Sequence, residues 1–470
     1  MFEPSRIVTD VIVIALILSG IWQFRTPRGA LRGNVLAAIA LALAVGIVAV
    51  RYQILRPEWV LGTLLVGAVA GSWVARKVHM IQAPAMVAIQ HGAGGLAAFL
   101  VCSVELAGGA APSIGVEEVT GLGGLAIGGA TFSASLVAGG KLANVLPQPP
   151  QRIPAHGWWL LAIVVLLVAT MAVAGGSVEM TLALALVASV VFAAGAGVLV
   201  AMRIGGADMP VLISFLNATA GLAAAFTGVI TESNLLVAGG ATVAASGSVL
   251  TLAMCEAMNR RLLDILTGGV GASTLTLRNN PGTAEPTVVP EPRPKRGEPR
   301  EEAVAALRAA DTVIIVPGYG MALAQAQFQT VELSRVLERA GKRVRFAIHP
   351  VAGRMPGHMH VLLSEAEATW ESLVELPDIN DDFAETDVAV VVGASDVVNP
   401  AATSTDDTPI SGMPILNVHN ARRVVVANLD DRPGYSGVEN LLYDMPEAIL
   451  IWGDAKASLQ SMLDSLGEHV

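Results

Sequence analysis

Residues 311–322 read DTVIIVPGYGMA. The β-branched run from Thr312 to Val316 has the composition of a buried strand. Pro317, Gly318, Tyr319, Gly320, Met321 and Ala322 follow as a glycine-bearing turn into a helix. Such a turn lets backbone N–H groups approach a pyrophosphate, so the stretch predicts a dinucleotide site. Agreement with the fingerprint is partial. Leu323 stands where a third glycine is expected, and His349-Pro350 replaces the acid expected at the end of the second strand.

Outward from this turn the tail alternates between strand and helix patterns. Strands are expected at 312–316, 343–348, 388–393, 423–428 and 448–452, and helices at 301–310, 321–341, 359–367, 436–443 and 455–466. That order predicts a doubly wound, Rossmann-like parallel sheet with its ligand at the carboxyl ends of the strands. Other strand-end loops carry suitable groups. Val351, Ala352, Gly353 and Arg354 offer close backbone approach and a cation for phosphate. Gly393, Ala394, Ser395, Asp396 and Val397 end the third expected strand, and Gly434-Tyr435 follows the fourth.

Upstream the composition changes. The chain has 470 residues, 53% hydrophobic and 14% charged, with mean hydropathy +0.60. Those values indicate a membrane protein, and a net charge of −10 gives no electrostatic basis for binding nucleic acid. Apolar runs long enough to cross about 30 Å of hydrocarbon fall near 8–24, 35–53, 57–75, 84–107, 118–140, 157–175, 179–202, 211–231 and 235–257. The expectation is a polytopic α-helical bundle of about nine spans over 1–262. A Gly/Pro-rich tether at 263–300 and the soluble domain at 301–470 follow. Cys102 and Cys255 lie inside apolar runs and read as small buried hydrophobes, not as a disulfide or metal site.

Connections on one side carry Arg25, Arg28, Arg32, Arg76, Lys77, Lys141, Arg152, Arg203, Arg260 and Arg261, against Arg6, Arg51 and Arg56 on the other. This bias places the N-terminus outside and the soluble domain in the cytoplasm. The glycine runs at 92–95 and 121–124 read as helix-packing positions, leaving only a narrow wet path through the bundle. Three polar residues stand out: His91 and Asn217, each about seven residues into a span, and Asp208 in the connection before Asn217. At 1.5 Å per residue, His91 and Asn217 both lie roughly 10 Å deep, so they could share one layer. His91 reads as a proton carrier or as a helix-bonding histidine, Asn217 as its partner or as interhelical glue. Asp208 reads as a cap, and Glu105, Glu179 and Glu256 as interfacial.

Taken in order, PGYGMALAQAQ, IHPVAGRMPGH, INDDFAETD, VVGASDVVNPAA, SGMPILNV, GYSGVEN and GDAKAS resemble the membrane β subunit of proton-translocating nicotinamide nucleotide transhydrogenase. IGGADMP and CEAMNR extend the likeness into the membrane region, so it covers nearly the whole chain. The resemblance implies that the tail binds NADP(H) while a separate α subunit presents NAD(H). Hydride then passes directly between the nicotinamides, driven by inward proton passage through the spans. It implies a cofactor site built from Pro317, Gly318, Tyr319, Gly320, Ala322, Val351 to Arg354, Gly393 to Val397, Gly412, Met413, Gly434, Tyr435, Asp454 and Ala455. It makes His91 and Asn217 proton-path residues, Asp208 the acid of the cytoplasmic connection, and Asp396 a member of a loop that senses the channel. It further implies a bacterial inner-membrane location, a dimer of α–β units and no metal.

One segment departs from the family pattern. Where the family carries Lys-Arg-Ser to grip the 2′-phosphate, this chain has Asn428-Leu429-Asp430, followed by Asp431 and Arg432. Loss of two cations predicts weaker NADP selectivity, with NAD(H) accepted as well, unless Arg432, Arg422 or Arg423 supplies the charge. A rival reading is a transporter or channel gated by a nucleotide-binding tail, and another is a catalytically silent subunit.

Overall fold

The computed structural model describes residues 4–23, 27–51, 57–78, 82–108, 115–147, 150–151, 153–174, 179–205, 208–267, 298–355, 357–405 and 408–467. Most of the expected tether, 268–297, lies outside the described residues. The chain divides into two compact units. One comprises Met1–Pro147, Arg152–Met202 and Ile213–Val249, the other Gln148–Gln151, Arg203–Leu212 and Leu250–Val470.

The helical region contains α1 (Pro4–Gln23), α2 (Pro27–Arg51), α3 (Pro57–Lys77), α4 (Ala83–Gly108), α5 (Val116–Leu142), α6 (His156–Ala174), α7 (Glu179–Arg203), α8 (Met209–Ile230) and α9 (Asn234–Ala257). Each matches an expected apolar run to within a few residues, except that α2 begins eight residues before the run placed at 35–53. Among the described residues, five helices are long and apolar enough to cross a membrane: α2, α4, α5, α8 and α9. Proline in the first turn starts α1, α2, α3, α4 and α8, where its missing N–H leaves no helix bond unmade. The glycines do pack helices. Gly95 of α4 and Gly128 of α5 each face the other's backbone so closely that an added Cβ would lie 2.8 Å and 2.6 Å from the opposing carbonyl oxygen. Lys141 is fully buried, and its Nζ donates to the carbonyls of Ala201 (3.0 Å) and Met202 (2.8 Å) at the end of α7. A cation there satisfies helix carbonyls that have no intrahelical partner.

A short helix, α10 (Leu262–Leu266), precedes the described part of the soluble domain. There β1 (Thr312–Pro317), β2 (Arg343–Ile348), β3 (Leu373–Glu375), β4 (Val388–Val392), β5 (Arg423–Asn428) and β6 (Ala448–Trp452) form one parallel sheet in the order β3-β2-β1-β4-β5-β6. Alternate residues face opposite cores, as the pleat requires. Val313, Ile315, Phe346, Val390 and Ile449 meet α11 (Pro299–Ala309), α12 (Tyr319–Leu323), α13 (Gln327–Arg339), α14 (His358–Glu365) and α17 (Ala455–Gly467). Ile314, Val316, Val391 and Val426 meet Ile379, Phe383, Val398, Leu416 and Tyr443 on the other face. That second face is covered mostly by turns and by one short helix, α15 (Leu376–Ile379), while another, α16 (Ala401–Ser404), packs in a separate cluster with Ile410, Met413 and Ile415. Each fully buried large side chain, such as Phe346 or Ile315, contributes about 1.5–3 kcal/mol.

Three expectations change. The sheet has a sixth, three-residue edge strand, β3, too short to show a period. The helix expected at 321–341 breaks between α12 and α13, where Gln325 is left-handed (φ 51) and Ala326 N–H returns to the Met321 carbonyl. The segment 436–443 is not an α-helix. Only a single tight turn at Leu441–Asp444 is helical, because side chains from the β4 loop hold the chain before it.

Candidate functional site

The strand order reverses between β1 and β4, and crevices at such switch points hold ligands in open α/β sheets. The turns after these two strands interlock. Gly318 N–H donates to Val392 O (2.8 Å) and Gly320 N–H to Gly393 O (2.7 Å), while a Cβ on Gly320 would lie 2.7 Å from Gly393 Cα. These two glycine N–H groups are therefore spent inside the fold. What these two glycines provide is close approach of two strand ends.

Side chains around the crevice come from four strand ends. After β2, Arg354 is buried and its guanidinium lies 4.5 Å over the Tyr319 ring. Its Nη2 donates to Tyr435 Oη at 3.4 Å, and the Tyr319 and Tyr435 rings are 6.0 Å apart. Burial pushes the Tyr319 phenol above its usual range, opposed by the Arg354 charge. Arg354 N–H donates to His358 Nδ1 at 3.0 Å, which assigns the ring proton to Nε2, and that nitrogen has no partner among the described residues. Burial, followed by the Arg354 charge, lowers His358 to about 4. His349 is also lowered to about 4 by burial, against the opposing effect of its bond to Pro414 O. Both imidazoles are thus neutral at physiological pH, and Arg354 is the cation of this cluster.

After β4, Ala394 O accepts from Asn428 Nδ2 (2.8 Å), Ser395 O from Asn440 Nδ2 (3.1 Å) and Val397 O from Leu416 N (2.9 Å). Asp396 accepts from Ser436 N (3.0 Å) and Ser436 Oγ (2.6 Å). Burial raises its carboxyl, opposed by these bonds and by Tyr435 N–H. Gly434 lies so near that a Cβ there would be 2.7 Å from Asp396 Oδ1. This carboxylate therefore secures residues 434–436 across the β4 loop.

After β5, Asn428 is turned inward and also bonds Tyr443 Oη at 2.8 Å. Leu429 is 69% exposed, and Asp430 accepts from Arg432 N (3.1 Å) and Arg432 Nε (2.8 Å). Arg422 and Arg423 sit at the opposite, amino end of β5 and pair with Asp387 and Glu302. After β6, Asp454 caps α17 through Ala457 N–H (2.9 Å), with Ala455 buried beside it. Val351 and Ala352 follow the β2 turn, and Pro317 and Ala322 flank the first. Gly412 N–H bonds Ala402 O, Met413 packs with Ala401, Ile410 and Ile415, and the next carbonyl, Pro414 O, meets His349 Nε2 at the end of β2 (2.8 Å).

In the helical unit His91 and Asn217 line one cavity of about 840 Å³, together with Gln90 and Gly94. α1 and α2 pack on each other and meet α9 around Leu235. In the other unit Asp208 forms a partly buried ion pair with Arg260 at 3.1 Å. Burial raises the Asp208 carboxyl, and the Arg260 charge opposes this. Asp208 thus has a specific partner beyond a capping role. Sequence reasoning also passed over His358 and Asn440, which are recognisable only once the loops are brought together.

The family described as NAD(P) transhydrogenase beta subunit matches residues 7–465. The chain belongs to this family. The NAD(P) transhydrogenase subunit beta of Rhodospirillum rubrum is 37% identical over 447 residues, covering 94% of this chain and 94% of that protein. A second protein of the same name, from a defined strain of that species, gives the same values. Membership of the transhydrogenase beta family agrees with both the apolar helices and the parallel sheet. It gives the strand-end cluster around Arg354 its candidate role.

Proposed function

We propose that this chain accepts hydride onto NADP+ from NADH held by a separate α subunit, coupled to inward proton translocation through the helical unit. The observation that carries this reading is the meeting of Tyr319, Arg354, Asp396 and Tyr435 at the β1–β4 switch point. Arg354 would take the pyrophosphate, with Tyr319 and Tyr435 fixing its guanidinium. The Asp396–Ser436 bond would hold the 434–436 chain over the cofactor. NADP(H) supplies the nicotinamide carbon that accepts or gives up hydride. The residues of this chain bind and orient the cofactor and exclude water.

Hydride transfer between similar nicotinamides is nearly isoenergetic, so the membrane supplies the bias. One charge moved through about 150 mV yields roughly 3.5 kcal/mol, a several-hundred-fold shift. In this reading His91 exchanges the proton with Asn217 as its partner, and Asp208 and Asp396 link protonation to cofactor retention. The soluble domain faces the cytoplasm of a bacterial inner membrane, and two α–β units form the working assembly. The test is transhydrogenation in sealed vesicles carrying both subunits, with internal pH followed throughout. Hydride transfer to NADP+ with proton movement is expected, and a His91→Asn variant keeping full coupled turnover would refute the proton assignment. Flux without any α subunit would favour a gated transporter.

Weakened NADP selectivity belongs to the same proposal. Arg432 is engaged by Asp430, Asn428 is turned inward, and Arg422 and Arg423 lie at the wrong end of β5. These contacts support a site that accepts NAD(H) alongside NADP(H). Titration of both oxidised cofactors into the detergent-solubilised chain checks it, and a strong NADP+ preference would reject it.

A further inference from the structure

At the end of β5 one buried side chain is left with an unmet hydrogen bond. Asn428 is the last residue of that strand. Its Nδ2 donates to Ala394 O (2.8 Å) and to Tyr443 Oη (2.8 Å), so both amide hydrogens are spent. This network fixes which way the amide is turned, because a carbonyl such as Ala394 O can only accept. Asn428 Oδ1 is thereby left as an acceptor, buried and without a partner among the described residues. The hydroxyl of Ser395, the residue after Ala394, is likewise buried and unpartnered.

Nearby backbone donors are already committed. Gly393 N–H goes to Ala427 O (3.0 Å) and Gly453 N–H to Asn428 O (2.9 Å). A buried acceptor left unmet is costly, so a ligand that satisfies Oδ1 must bring a donor. A ribose hydroxyl both donates and accepts, and it can engage Asn428 Oδ1 and Ser395 Oγ together. A 2′-phosphate loses its second proton at about pH 6 and then offers acceptor oxygens alone. Against Oδ1 it meets a group of the same polarity. Arg432, four residues on, is held by Asp430 through Nε (2.8 Å), and Asp431 places a second carboxylate beside it.

We propose that Asn428 and Ser395 read the 2′-hydroxyl of the adenosine ribose and so select a dinucleotide without a 2′-phosphate. Asn428 Oδ1 accepts the hydroxyl proton, and Ser395 Oγ donates to the hydroxyl oxygen. The inference rests on the reading of the strand-end cluster as a dinucleotide site. It turns tolerance of NAD(H) into recognition of it.

The test is isothermal titration of the full detergent-solubilised chain with three oxidised dinucleotides: NAD, its analogue lacking the adenosine 2′-hydroxyl, and NADP. The wild type should bind NAD about tenfold more tightly than the 2′-deoxy analogue, equivalent to roughly 1.4 kcal/mol. It should bind NADP more weakly than NAD. Asn428→Leu removes the acceptor at similar volume. Ser395→Ala removes a hydroxyl that bonds nothing else among the described residues, and it carries the test if Asn428→Leu does not fold. Each variant should bring the ratio of NAD to 2′-deoxy affinity down towards one. A change that merely loosened the fold would weaken both ligands alike and leave the ratio standing. The inference is overturned if the ratio persists in the variants, or if NADP binds more tightly than NAD. Binding of all three dinucleotides without preference overturns this inference alone, whereas binding of none overturns the dinucleotide reading with it.

Discussion

The Asp396 carboxylate accepts from both the backbone N–H and the hydroxyl of Ser436, tying the loop after β4 to the chain that follows β5. The two residues are 40 apart in sequence, and their pairing replaces the helix that local pattern favours at 436–443. Burial raises the Asp396 carboxyl, so in the corresponding pH window the folded state holds more protons than the unfolded one. Its contribution to stability is therefore largest below the ordinary carboxylate range and declines as pH rises through the folded value. The melting temperatures of wild type and Asp396→Asn, compared from pH 4 to pH 7, test this. The wild type's advantage should shrink as pH rises, and a constant difference would show that Asp396 is not the titrating group.

His349 and His358 act in the opposite sense. Both are lowered to about 4, so each favours the folded state fully above the ordinary histidine value and loses that contribution as pH falls towards 4. The full shift corresponds to roughly 3 kcal/mol per residue. A His358→Gln variant retains an acceptor for Arg354 N–H and carries no titrating ring. Acid unfolding followed by circular dichroism should show its transition moved to lower pH than that of the wild type.

Arg354 gives the strand-end cluster its charge and lies against Tyr319. Lysine would keep the charge but lose the planar fork and its fit to both tyrosines. Arg354→Lys should weaken binding of oxidised NADP by about 1.5–3 kcal/mol, the range for a hydrogen bond to a charged group. Isothermal titration of the purified chain measures the loss, and unchanged affinity would remove Arg354 from the cofactor site.

Gly320 faces the Gly393 backbone with no room for a methyl group. Gly320→Ala should cost about 1–3 kcal/mol by overpacking, whatever its effect on nucleotide binding. Chemical denaturation of the wild type and variant, monitored on the soluble domain, gives the difference directly.

The signals that proved legible along the chain were local ones. Hydropathy marks the positions of α1 to α9 because each is a continuous apolar run. Five of the described helices, α2, α4, α5, α8 and α9, have the length and apolarity to cross hydrocarbon. β-branched runs mark five of the six strands because each is buried on both faces. The glycines at 318 and 320 announced a close approach, although their partner, Gly393, could not be read from the run itself. β3 escaped notice because three residues carry no period, and the break at Gln325 because glutamine seldom adopts the left-handed conformation that ends α12.

Residue types and their order were enough to settle a membrane-helical region joined to a parallel dinucleotide-type sheet, since segment composition and strand–helix alternation leave few other ways to bury apolar surface. Pairing was settled only in three dimensions. Asp396 holds Ser436, Asp430 engages Arg432, Arg260 meets Asp208, and His91 and Asn217 open onto one cavity. Each depends on the distance and direction between side chains, which chain folding sets and linear spacing does not encode.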